Sequence, residues 1–81
     1  MIGRYRKKPC IVEAVRYDGH NIEEIQLWSN RHFIQYQDGK LGIQTLEGIM
    51  EAKVGDYIIK GVAGEFYPCR PTIFLYTYEE I

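Results

Sequence analysis

The sequence predicts a small α+β domain, an antiparallel meander or small partly open barrel of about six short strands with one helix packed on it. Three observations carry this expectation. Short runs of alternating or β-branched apolar residues recur along most of the chain. Glycine-containing pairs such as Asp38-Gly39, Glu47-Gly48, Gly55-Asp56 and Ala63-Gly64 separate these runs at short intervals. A single stretch, Ile22, Ile25 and Trp28, falls at helical spacing. The chain has 81 residues, room for one domain over 1–81. A domain of this size buries only roughly 60% of the surface its unfolded chain exposes, and self-association is one remedy for so small a core.

The first apolar block runs from Pro9 to Tyr17. Ile11, Val12 and Val15 favour strand, and both faces are largely apolar, which predicts a central strand covered on both sides. Glu13 then lies on a mostly apolar face and needs a partner, an Arg or Lys on a neighbouring strand or a bound ligand. Asp18-Gly19 ends the strand. Asn21 is the expected helix N-cap, with Glu24 as the reciprocal half of a capping box. Ser29-Asn30 closes a helix of about nine residues, too short to stand without packing on the sheet.

From residue 32 the period changes to two. His32 to Gln37 reads as a strand, and Asp38-Gly39 as a type I′ hairpin turn. Lys40 to Leu46 returns with Leu41 and Ile43 on one face. Ile49 to Val54 follows, with Met50, Ala52 and Val54 expected inward. Tyr57 to Val62 and Glu65 to Tyr67 flank the Ala63-Gly64 turn. Pro68 and Pro71 make the next stretch an edge or a crossing loop, because proline cannot donate to a central ladder. Residues 72–76 fit either one turn of helix beginning near Pro71 or a direct run into a terminal strand around Thr77 to Glu79.

Apolar residues make up 46% of the chain and charged residues 26%, a globular composition and not a disordered one. Ten Lys/Arg against eleven Asp/Glu give a formal charge of −1, with no global sign of a nucleic-acid binder. The distribution is uneven: Arg4, Arg6, Lys7 and Lys8 crowd the start, and Glu79 and Glu80 close the chain. The basic start reads as a solvated edge strand or as a contact for phosphate. Cys10 and Cys69 form no CxxC or Cys/His ligand set, so no zinc site is expected, and both read as free thiols in a reducing cytoplasm, a single disulfide remaining open. No secretory or membrane-spanning run is found, so no membrane partner is expected.

No catalytic motif emerges. His20 and His32 lack a nucleophile or carboxylate in triad order and read as surface histidines. The glycines form no phosphate loop. Cys69 beside Arg70 is the best candidate nucleophile, because a guanidinium can lower a thiol pKa, but it has no assigned base. Between residues 60 and 70, Lys60, Tyr67 and Arg70 lie among Gly61, Gly64 and Glu65, a composition suited to a planar anion: rings stack on Tyr or guanidinium planes and phosphates take Arg or Lys. With Tyr5, Arg6 and Arg16 these residues form the expected ligand site, and no catalytic residue, cofactor or metal is expected.

The run Gly55-Asp56-Tyr57-Ile58-Ile59-Lys60-Gly61-Val62, with Gly64-Glu65-Phe66-Tyr67-Pro68-Cys69 after it, resembles a family of short phage and prophage proteins of unassigned function. Tyr5 to Pro9, Val12-Glu13-Ala14, Thr45 to Gly48 and Thr77-Tyr78-Glu79 extend the likeness over nearly the whole chain. Ile73 to Tyr76 is more apolar than that pattern and marks a candidate subunit contact. The resemblance implies a viral origin, a host cytoplasm and an accessory, counter-defence role, and it carries no catalytic residues. The expected function is sequestration of a small nucleotide-like ligand by a homo-oligomer. The alternative is a module that binds and blocks a host protein.

Overall fold

The computed structural model describes residues 1–6 and 8–81; Lys7, one of the four cations of the basic start, lies outside them. Residues 1–6 and 8–12 form no strand, so the expected edge strand at the basic start is not there among the described residues. Six strands follow: β1 (Glu13–Arg16), β2 (Phe33–Gln35), β3 (Leu41–Thr45), β4 (Gly48–Ala52), β5 (Tyr57–Lys60) and β6 (Phe66–Cys69). They make two three-stranded antiparallel sheets, β1-β5-β6 and β2-β3-β4, and not a closed barrel. Helix α1 (Ile22–Trp28) joins β1 to β2, and a second helix, α2 (Pro71–Thr77), follows β6. The expectation of one helix is thus corrected, and so is the terminal strand around Thr77 to Glu79. Pro71 occupies the first turn of α2, where its missing N–H has no partner to lose.

The core lies between the two sheets. The first contributes Ile58 and Phe66, the second Phe33, Leu41, Ile43 and Ala52, and Tyr17 and Ile25 close it from the β1–α1 side. Ile22 and Trp28 pack against it, so the helical apolar stripe is where its spacing puts it. Each fully buried Leu or Ile is worth about 1.5–3 kcal/mol relative to exposure. Tyr17 is buried, yet its hydroxyl donates to the Gly39 carbonyl at 2.6 Å, which joins the end of β1 to the β2–β3 turn. The Gln26 side chain donates to the Phe33 carbonyl at 2.8 Å and accepts from the Phe33 N–H at 3.3 Å, binding α1 to the start of β2.

Several local expectations change. β1 is an edge strand, paired with β5 alone, and Ala14 and Ile11 are exposed where a doubly covered central strand was expected. Glu13 is exposed too, and its carboxylate accepts from the Trp28 indole N–H at 2.8 Å instead of pairing with a cation. The capping box does not form: Asn21 caps no helical N–H and instead accepts from the Asp18 N–H and donates to the Arg16 carbonyl. At Asp38-Gly39 only the glycine has positive φ, +86°, and the Gly39 N–H bonds the Tyr36 carbonyl. A type I′ turn needs two such residues, so this loop is the three-residue kind with a left-handed glycine last. The β5–β6 loop repeats that construction at Gly61–Gly64, with Gly64 at +82°. In β4, Ala52 is buried as expected, whereas Met50 and Val54 are exposed.

Antiparallel register settles the two faces of the first sheet. Glu13 opposes Lys60 and Lys60 opposes Phe66, which puts Glu13, Val15, Ile58, Lys60, Phe66 and Pro68 on the core face. Ala14, Arg16, Tyr57, Ile59, Tyr67 and Cys69 share the other face. Pro68 is accommodated because β6 is an edge strand.

Candidate functional site

The face of the first sheet away from the core carries a groove. Its volume is about 470 Å³. One wall is the chain from Cys10 to Val12 with Ala14; the other is Tyr57, Phe74, Leu75 and Tyr78, with Glu79, Glu80 and Ile81 at the chain end. The second wall is a stack of rings. Tyr57 and Phe74 lie 3.9 Å apart and nearly parallel at 9°, and Phe74 continues to Tyr78 at 5.0 Å and 26°. Phe74 and Tyr78 are four residues apart, the separation at which side chains on a helix meet. None of the helix's residues is fully buried, so these rings are the means by which α2 is docked.

Tyr67 ties the end of the chain to β6. Its phenol is hydrogen-bonded with that of Tyr78, and burial, followed by that bond, pushes its pKa up to about 12. Its neighbour across the same face, Cys69, also has its pKa raised, by burial and then by the carboxylate of Asp56. Its S–H donates weakly to the Arg70 carbonyl at 3.6 Å. The expectation that Arg70 would lower this pKa is reversed: the thiol is held protonated, the wrong state for a nucleophile.

The six residues of the expected ligand site do not come together within one chain. Tyr5 and Arg6 are exposed on the segment before β1. Arg16 is the cross-strand partner of Tyr57 and shares the groove's face of the sheet with Tyr67. Arg70 is the exposed residue that opens α2. Lys60 is on the opposite face, its ammonium 5.9 Å from the centre of the Phe66 ring. Glycine spacing between Lys60 and Tyr67 suggested one cluster, but a hairpin pairing Lys60 with Phe66 must turn Tyr67 the other way. The groove residues missed in the sequence, Phe74 and Tyr78, carried the i, i+4 signal once Pro71 is taken as a helix start.

A second cluster sits at the edge of the core. Trp28 meets Phe66 edge-on at 5.2 Å, and His32 lies tilted over Phe66 at 5.2 Å. The His32 ring is also within 3.2 Å of the Gln44 carbonyl through Nε2. Both carboxylate and ammonium of this cluster, Glu13 and Lys60, are engaged with aromatic rings, so the group reads as a rim that seals the core. A smaller depression of about 280 Å³ lies between the β3–β4 and β5–β6 hairpins, bordered by Leu46, Met50, Glu65 and Tyr67. Among the described residues no three His, Cys, Asp or Glu stand together in a way that could hold a metal ion, and no helix is long and apolar enough to cross a membrane. Compared with models of protein families, with curated proteins and with solved structures, the chain matches none.

Proposed function

We propose that this chain is a non-catalytic binding protein that sequesters a small, planar, nucleotide-like ligand in the groove beside α2. The observation that carries this reading is the Tyr57–Phe74–Tyr78 stack, which gives an open groove of about 470 Å³ a wall of aromatic faces. That volume is within the range of small-molecule sites, and a base or similar ring extends such a stack. Arg16, opposite Tyr57 in the sheet, supplies a cation on the same face. The protonated state favoured at Cys69 argues against a thiol enzyme. The resemblance to short phage proteins implies a host cytoplasm as the setting, and a signalling nucleotide there is the cargo we propose. In that setting the protein acts as a counter-defence accessory that works by binding alone.

The test is a thermal-melting panel of mono-, di- and cyclic nucleotides. A ligand that binds the folded chain raises Tm by mass action, by about 2.7 kcal/mol of added stability at a hundredfold excess over Kd. Melting that is unchanged across the panel rejects the reading. One observation favours a second reading, a module that blocks a host protein. Ile73, Leu75 and Tyr76 of α2 are 57%, 66% and 94% exposed, an apolar surface of the kind protein contacts use. A specific partner recovered from host lysate and lost on Leu75→Asp would favour it.

A further inference from the structure

We infer that the groove is completed by the N-terminal segment of a second copy of this chain, reciprocally exchanged in a twofold dimer. The inference deepens the groove reading and rests on it for its functional meaning. It starts from charge. Arg4, Arg6 and Lys8 are exposed, and Glu79 and Glu80 line the far lip of the groove. Among the described residues the ion pairs are Arg31–Glu23 and Lys40–Asp38, so Arg4, Arg6, Lys8, Glu79 and Glu80 form no ion pair with any described residue. The two sets are complementary, and a twofold axis lets each copy offer its cations to the other's carboxylates.

Apolar surface points the same way. Met1, Ile2 and Tyr5 on the segment, and Ile11, Leu75 and Ile81 around the groove, are all strongly exposed. Residues 1–9, extended, can span about 30 Å. That matches the molecule's two shorter dimensions of 28 and 21 Å, so the segment is long enough to cross a partner. In its own groove Cys10 to Val12 of the same chain are already part of the lining. The free edge of β1, directly after the segment, leaves backbone groups for the same partner.

The exchange also answers an electrostatic difficulty of the groove. In a lone chain Glu79 and Glu80 repel a phosphate. Arg4, Arg6 and Lys8 of the second copy outnumber these two carboxylates and leave a cation over for an anion, and Tyr5 arrives with them. The groove thereby gains from the second copy the two expected ligand residues, Tyr5 and Arg6, that a single chain holds apart from it.

The experiment is a charge swap on the full chain, read as molar mass by light scattering over a concentration series. The wild type is expected at twice the 9.5 kDa chain mass. Arg4→Glu with Arg6→Glu, or Glu79→Arg with Glu80→Arg, is expected to weaken association about tenfold or more. All four substitutions together are expected to restore it. These positions are exposed, and circular dichroism checks that each variant folds. Wild type at the single-chain mass throughout, doubled mass in both two-residue variants, or no restoration in the four-residue variant each overturns the exchange. Failure here with nucleotide binding intact rejects the dimer and leaves the ligand reading standing, whereas a dimer that no nucleotide stabilises does the reverse.

Discussion

The two faces of the β1-β5-β6 sheet are built to different standards. Toward the second sheet, Ile58 and Phe66 enter a core closed by three more strands and by α1. Away from it, Ile59 is just as buried, at 1% against 0% for Ile58, yet it lies outside that core cluster. The same face carries the groove and α2, a seven-residue helix with no buried residue of its own, whose Phe74 stacks on Tyr57 of the sheet. The closed face carries the stability.

The sharpest test of this difference uses the two adjacent isoleucines. Ile58→Ala is expected to cost about 2–5 kcal/mol, because the inter-sheet core cannot collapse onto the void. Ile59→Ala removes the same atoms, but Ile59 lies outside the inter-sheet core cluster, so its cost is expected at the low end of that range, about 2 kcal/mol. Chemical denaturation measures both; equal losses would break the comparison. Next in size is Phe74→Ala, which removes the middle ring of the stack and is expected to cost about 1–3 kcal/mol for two ring contacts. Hydrogen exchange locates the effect: faster exchange in α2, with β5 and β3 unchanged.

A smaller effect comes from Tyr67. Its pKa is raised to about 12 in the folded chain, from an ordinary value of 10.0. The fold therefore favours the protonated phenol. Its contribution is complete below pH 10 and is lost as pH rises toward 12, where the unfolded chain has already released the proton. Tyr67→Phe is expected to flatten the fall of Tm over that interval relative to wild type. Parallel curves would remove Tyr67 as the tie between β6 and the chain end.

What could be read from the sequence divides along the same line. The local signals were legible: the Ile22–Ile25–Trp28 stripe, the glycine turns, and Leu41 and Ile43 on one inward face. Edge or centre was not legible for β1, because strand order is a long-range property and an apolar run looks alike in both places. Glu13 seemed to need a cation for the same reason, and its Trp28 partner exists only once α1 is folded back. Residues 72–76 were ambiguous because the apolar run Ile73-Phe74-Leu75-Tyr76 fits strand or helix alike, and the Phe74–Tyr78 spacing counts only once Pro71 is taken as a helix start. Of the expected ligand residues, Lys60 and Tyr67 could have been separated from the Ala63-Gly64 turn by counting pairs outward. The positions of Tyr5 and Arg6 relative to the groove could not.

The central claim is that the groove beside α2 holds a ligand against the Tyr57–Phe74–Tyr78 stack. A native mass spectrum of gently purified protein tests it most directly, with wild type and Phe74→Ala side by side. The account predicts extra mass of nucleotide size on the wild type, and its loss in Phe74→Ala while a Met50→Ala control at the smaller depression retains it. A bare wild type that no added nucleotide loads, or an adduct indifferent to Phe74→Ala, would contradict it.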